Sequence, residues 1–350
     1  MYMKKYFQGV INMKKMIIFV LGLLLVLNLP IYGVTKVGTT AAPFLVIDVG
    51  PRATAMGSAY VSVVRDATAM YWNPAGIARL NNNIEATFCN TKWIADIALN
   101  YAGVVFTMGN FGTLGINATL FSMDEMERTT VSQPDGTGEY FDAGSSAFGL
   151  SYARNLTDRF AIGFNTKYIN ERIYHCNANG FALDVGALYA TSFHGLTLGM
   201  NISNYGTKMQ LDGRDLLVQV DVNQQVSGNN PQINAKLETD QFDLPLMFRF
   251  GLSMDLIKGK YNNLIIAADA LHPSDDVEYV NVGAEYTLFN ILSLRAGYKQ
   301  LFAQDTEQGL TFGGGIHYNV FGTSAFSFDY SYINFGIFQT INMFSIGLSF

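Results

Sequence analysis

Apolar residues alternate with small or polar ones along most of the chain beyond residue 80, the period-two signature of strands whose two faces meet different surroundings. In Phe344-Ser345-Ile346-Gly347-Leu348-Ser349-Phe350 the even positions are apolar and the odd ones small. Phe326-Ser327-Phe328-Asp329-Tyr330-Ser331-Tyr332 repeats the scheme with bulkier rings. In Val280 to Thr287 and in Leu292 to Lys299 the polar face carries full charges, while the apolar face carries none. The pattern predicts strands near 83–90, 96–108, 111–123, 138–155, 158–172, 178–191, 195–204, 242–256, 261–271, 276–288, 291–302, 308–319, 323–334 and 341–350. Uncharged Ile97 to Met123 is broken by Gly103, Gly109, Gly112 and Gly115 and reads as two strands rather than a membrane helix.

Alternation alone does not separate a soluble sandwich from a membrane barrel, since both hide one face of each strand. Strand length, number and connections do. The candidates run near the roughly 9–11 residues of a tilted spanning strand, against about 5–6 in ordinary sheets. Connections after every second strand are tight (Gly109-Asn110, Leu156-Thr157, Ser192 to His194, Lys258 to Lys260, Asn290, Phe321-Gly322), whereas Asp124 to Thr137 and Tyr205 to Gln241 are long. Short turns on one side and long loops on the other mark an outer-membrane barrel, and an even strand count returns both ends of the barrel to the periplasm. The expected fold is all-β, a transmembrane antiparallel barrel of about fourteen strands over residues 81–350.

Composition supports this reading. Only 14% of the 350 residues are charged and 49% are hydrophobic, against about 25% charged in soluble domains, so much of the surface is expected to face lipid. Lys4, Lys5, Lys14 and Lys15 precede an apolar run from Met16 to Leu29, followed by Pro30 and Gly33, which reads as a cleaved signal peptide over residues 1–33. Its removal takes away four Lys and no acids, moving the net charge from −6 to −10. That balance excludes a nucleic-acid partner.

If the apolar faces meet lipid, the lumen is lined by Lys167, Asp184, Arg249, Asp255, Asp269, Glu285, Arg295, Lys299 and Asp329. Mixed signs in a narrow lumen read first as a bracing network, because an unpaired buried charge is costly. Residues 34–80 differ in kind, being rich in Ala and Gly, and small side chains suit a plug within the barrel. Asn73 before Pro74 predicts a short helix running to Leu80, capped by the Asn side chain. Arg52, Arg65 and Asp66 are candidates to pair with wall charges.

Three stretches of this segment, Gly50-Pro51-Arg52-Ala53, Ala55-Met56-Gly57-Ser58-Ala59-Tyr60 and Asp66-Ala67-Thr68-Ala69-Met70-Tyr71-Trp72-Asn73-Pro74-Ala75-Gly76, resemble the N-terminal signature of the PorV/PorQ family. That family is similar in turn to FadL-type transporters, with the Asn73-Pro74-Ala75 box as the shared element. The resemblance implies a hatch inside a fourteen-stranded barrel, with Arg52, Gly57, Asp66, Tyr71, Trp72, Asn73, Pro74 and Ala75 as the plug motif. Ser58 and Arg65 depart from the family pattern, which commonly shows Gly and an acid there. The implied function divides. PorV-like members serve type IX secretion as partners of exported proteins at the cell surface, whereas FadL-like members admit long-chain fatty acids or aromatics through the outer membrane. Uptake would need an apolar pocket beneath the loops and a route past the plug near Tyr71, Trp72 or Trp93. In the longest loop, Val218, Val220 and Val222 alternate with Gln219, Asp221 and Asn223 before a Gly228-Asn229-Asn230-Pro231 turn and Ile233 to Leu237. This predicts a surface hairpin, either a partner's docking edge or a lid.

Catalytic and metal chemistry find no footing. His175, His194, His272 and His317 are scattered with no ligand spacing, and His175-Cys176 falls short of the three or four ligands of a zinc site. Gly313-Gly314-Gly315 lacks the spacing of a phosphate loop. Pairing between Cys89 and Cys176 is left open. No cofactor and no enzymatic activity are expected.

Overall fold

The computed structural model describes residues 38–193, 195–221, 233–303, 306–321, 324–338 and 340–350. The signal-peptide reading of 1–33, the loop turn at Gly228 to Pro231, and His194 and Gly322 of two tight turns lie outside these residues.

The alternating segments fold into one wall of strands: β1 (Ile84–Lys92), β2 (Ala98–Thr107), β3 (Thr113–Ser122), β4 (Ala143–Asn155), β5 (Phe160–Ile173), β6 (Cys176–Ala190), β7 (Thr197–Gly206), β8 (Met247–Lys258), β9 (Asn262–Pro273), β10 (Tyr279–Leu288), β11 (Leu292–Leu301), β12 (Leu310–Phe321), β13 (Ser324–Asn334) and β14 (Thr340–Ser349). Each strand pairs antiparallel with its neighbour in sequence, and β1 pairs with β14, placing Glu85 opposite Ser349 and Lys92 opposite Asn342. The wall is therefore a closed barrel of fourteen strands. Closure leaves no open edge with unpaired amides in hydrocarbon, the condition for a sheet to span a bilayer.

The predicted faces are visible in single strands. In β14, Phe344, Ile346 and Leu348 point outward and are 39–46% exposed, whereas Ser345 and Ser349 are at most 8% exposed. In β11, Leu292 and Leu294 face out while Ser293 and Arg295 face in. Outward apolar side chains recur on all sides and form the lipid-facing band.

Connections sort by side. The turn between β10 and β11 needs only three residues, with positive φ at Phe289 and Asn290 (54° and 57°), the handedness that fits tight hairpins to twisted strands. Both ends of the barrel lie on this side, where the amides of Asn83 and Ile84 donate to the Phe350 carbonyl. By the short-turn rule this rim is periplasmic. The opposite rim carries the long connections. One connection there is tight, since β5 and β6 run past the rim and turn at Tyr174 (φ 52°) and His175. Asp212 and Gly213 of the longest loop add to this extension, opposite Asn177 and Cys176. Further along, Leu217–Val220 pairs antiparallel with Ile233–Lys236, which is the hairpin read from the valine alternation.

Residues 38–80 fill the lumen. They start at the outer mouth, where the Ala41 amide donates to the Asp243 carbonyl and Thr40 Oγ1 to Asp275 Oδ2 at 2.6 Å. They then descend to the inner rim. The helix expected after Asn73 is a 3-10 helix, Pro74–Arg79, preceded by two short α-helical turns, Pro51–Ala55 and Ala69–Trp72. Pro74 opens the helix without an amide to donate, and Gly76 packs directly on Val64 and Ala69 of the plug itself, where a Cβ would stand 2.8 Å from the Val64 carbonyl oxygen. Met56, Tyr60, Met70, Trp72 and Ile77 are fully buried, so the core of this protein is the interface between plug and wall.

Candidate functional site

Three features make up the candidate site: the seat of the plug, an apolar pocket at the outer mouth, and the hairpin above it.

The plug meets the wall first through backbone. Gly57 takes a left-handed φ of +63°, and a Cβ there would stand 2.6 Å from the Val282 carbonyl oxygen. The wall answers with its own missing side chains, since a Cβ on Gly283 would lie 2.1 Å from the Met56 oxygen and one on Gly297 2.1 Å from the Gly57 nitrogen. On the far wall the Asn73-Pro74-Ala75 box sits against Gly163 and Gly186. Asn73 Oδ1 accepts from the Ala75 amide at 3.2 Å, while its Nδ2 donates to the carbonyls of Val61 and Ala187 at 2.9 and 3.1 Å. One side chain thus caps a helix, pins the plug on itself and ties it to β6. Ala75 packs against Ala161 and Leu188.

Charged groups add direction. Arg52 donates from Nε and Nη2 to Glu285 of β10 at 2.9 and 2.7 Å. Glu285 also accepts from Arg295 Nε at 2.5 Å, and Arg295 Nη1 reaches Asp329 at 2.6 Å. Burial works against the Arg52 charge, yet Glu285, Tyr60 and Asp66 together outweigh it and hold the guanidinium above its ordinary pKa. Arg52 also reaches Asp66 at 3.4 Å. Burial pushes the Tyr60 phenol well above its ordinary value, so it stays protonated and donates to Asp66 at 2.5 Å. Asp66 therefore pairs within the plug and not with the wall. Asp269 of β9 accepts from the Tyr60 and Val61 amides at 2.7 and 2.9 Å. Lys299 pairs with Asp48, which also accepts from Ser58 Oγ at 2.6 Å. Ser58 holds a left-handed φ of 63°, which explains why glycine suits this position and shows what the serine gains instead.

The other lumen candidates divide. Lys167 pairs with Asp184 at 2.8 Å, and Asp184 accepts from Asn165 and from the Asn204 amide. Arg249 donates to Ser203 Oγ at 3.0 Å and lies over the rings of Tyr71 and Trp72, 5.8 and 5.5 Å from their centroids. Those rings are fixed in turn, Tyr71 donating to the Ile47 carbonyl and Trp72 to that of Val49. Asp255 stands apart, pairing at 3.6 Å with exposed Lys258 near a periplasmic turn. Arg65 is exposed at the inner mouth. Trp93 packs on Phe335, away from Tyr71 and Trp72. Cys89 and Cys176 are free thiols, both buried.

A pocket of about 300 Å³ opens at the outer mouth. Phe121, Met123, Ile173, Met209, Leu211 and Phe242 line it, with Glu171 and Arg172 at its polar margin. Sequence reasoning missed it, because Met209, Leu211 and Phe242 come from short loop segments without strand periodicity. Above it stands the hairpin, whose Leu217, Val220 and Ile233 are exposed by 39–52%. Its base is tied down by Lys236 with Asp212, and by Gln210 Nε2 donating to the Thr239 carbonyl at 2.6 Å.

The family model of the type IX secretion system protein PorV matches residues 33–272. No protein of curated function matches the chain. Among solved structures, the chain is similar to the toluene transporter TbuX of Ralstonia pickettii, at 12% identity over 86% of this chain and 97% of that one, with a TM-score of 0.50. It is likewise similar to the toluene transporter TodX of Pseudomonas putida, at 14% identity over 85% and 96%, also with a TM-score of 0.50. At such identities the likeness shows the fold.

Proposed function

This chain belongs to the PorV family of type IX secretion, and from that premise we propose that it works in the outer membrane as a non-enzymatic partner of exported proteins, receiving them at the cell surface. The observation that carries this is the pairing of Leu217–Val220 with Ile233–Lys236 in the outer loop, together with a lumen that residues 38–80 fill. A filled lumen leaves no steady aqueous path for solute or polypeptide, so the work falls to the outer face. There the hairpin offers exposed strand edges and apolar side chains to an extended segment of a partner, the chemistry of strand addition. Outer-membrane lipid is the partner of the barrel's sides. The reading assigns no cofactor and no bond-making step.

A second reading rests on the pocket beneath the hairpin. An apolar cavity of about 300 Å³ suits a small hydrophobic molecule, and the structurally similar proteins are toluene transporters. Uptake would then require the plug to move, since Met70, Trp72 and Ile77 close the way below.

Replacing residues 217–236 by a short Gly-Ser link separates the readings. The barrel is expected to fold, as judged by unchanged heat-modifiable migration, while exported proteins accumulate in the periplasm and their surface amount falls at least several-fold. Normal surface delivery by that variant would contradict the export reading.

A further inference from the structure

Below the plug the lumen is hollow. A cavity of about 430 Å³ opens at the periplasmic rim, beside Asn81, Asn82 and the turn residue Asn290. Its deeper charges are already matched, because Arg52, Glu285, Arg295 and Asp329 close on one another and Asp66 accepts from Arg52 and Tyr60. Two guanidiniums at the mouth are not. Arg65 is exposed and has no carboxylate within ion-pair distance among the described residues. Arg79 donates from Nη1 to the Asp158 carbonyl at 2.7 Å, while its Nη2 is buried and meets no acceptor of the protein. Each cation lies within electrostatic reach of the other: burial lowers the Arg79 pKa and the Arg65 charge lowers it further, against a smaller opposing pull from Asp158.

Two arginines lining one mouth, neither with a carboxylate in ion-pair contact among the described residues, are complementary to an oxyanion. We infer that the periplasmic mouth is a binding site for a carboxylate or phosphate group, held by the exposed Arg65 and the half-buried guanidinium of Arg79. Glu85, at the same rim, is turned to the Ala67 amide, and the paired charges further along leave no free cation to draw such a group deeper, so it stops at the mouth. The site therefore recognises a ligand and does not admit one. It lies on the opposite rim from the hairpin and stands whether or not the export reading does.

Two sources carry this chemistry, a small free anion and an acidic side chain of a periplasmic polypeptide. The test is isothermal titration calorimetry on the full chain in detergent micelles, with citrate and with a glutamate-rich hexapeptide, each against sodium chloride at equal ionic strength. Saturable binding of at least one probe is expected, weakened about tenfold by Arg65→Gln and lost in the Arg65→Gln, Arg79→Gln double variant, as for loss of a charge-assisted contact. Arg65 is exposed, so the single variant is expected to keep the barrel's heat-modifiable migration. Binding of the peptide but not of citrate assigns the polypeptide source, and binding of citrate assigns the small anion. Absence of binding by both probes, or equal binding by the parent and double variant, would overturn the inference.

Discussion

Glu285→Ala is expected to lower the free energy of unfolding by about 3–5 kcal/mol, the range for removing one partner of a buried ion pair. Glu285 is 3% exposed and takes hydrogen bonds from both Arg52 and Arg295, the first on the plug and the second on the next strand. Truncation leaves Asp329 and the more distant Asp66 to balance two guanidiniums that plug and wall enclose on every side but that of the periplasmic cavity. Desolvation of the orphaned charges sets the size of the effect, well above the 0–1 kcal/mol or so of a surface pair. Glu285→Gln keeps oxygen and shape but not charge, and is expected to fall between the parent and Glu285→Ala. Urea unfolding of the three proteins in lipid vesicles gives the comparison. An Ala variant within about 1 kcal/mol of the parent would mean that water from the periplasmic cavity solvates both guanidiniums and that Glu285 does not anchor the plug to the wall.

The second large effect concerns backbone contact. Gly283→Val places a side chain where the Met56 carbonyl lies 2.1 Å from the first added carbon. Neither β10 nor the plug can yield that distance by turning a side chain, because the obstacle is main chain. The outward face of β10 is untouched, so the barrel is expected to close as before while the Pro51 to Ser62 arm loses its seat. Planar-bilayer recording is then expected to show steady ion conductance for the variant and none for the parent, with proteolysis at the arm as an independent readout. Gly314→Ala is the control, since its added carbon finds nothing nearer than the Ser293 carbonyl at 3.4 Å. A silent Gly283→Val barrel with a protected arm would contradict the plug's seating.

The wall was legible because its physics is local. Each strand must show lipid one face and the lumen the other, so residues such as Phe344 to Phe350 declare themselves in seven letters. The order of strands followed from short turns, and the hairpin from alternation in Leu217 to Val220 and Ile233 to Lys236. What joins plug to wall was legible only in its ingredients. Arg52 and Glu285 lie 233 positions apart, and nothing near either names the other. Asp269 was visible as an inward charge, but its partners are the amides of Tyr60 and Val61, which every residue except proline carries. Gly283 and Gly297 had a signal that went unread: glycine at inward positions of neighbouring strands marks where another backbone comes close. Asp255 kept the inward period yet belongs to the periplasmic end, because periodicity gives a face and not a depth. The outer pocket depends on how a long loop folds back, for which sequence offers no period at all.

The measurement that bears most directly on the central claim is native mass spectrometry of the protein released gently from its own outer membrane, recording protein partners and small-molecule adducts together. The account predicts a stable complex with a protein that carries an export signal, no reproducible adduct of fatty-acid or aromatic size, and loss of the complex when residues 217–236 are replaced. A reproducible hydrophobic adduct with no protein partner would contradict it and move the working site into the pocket beneath the hairpin.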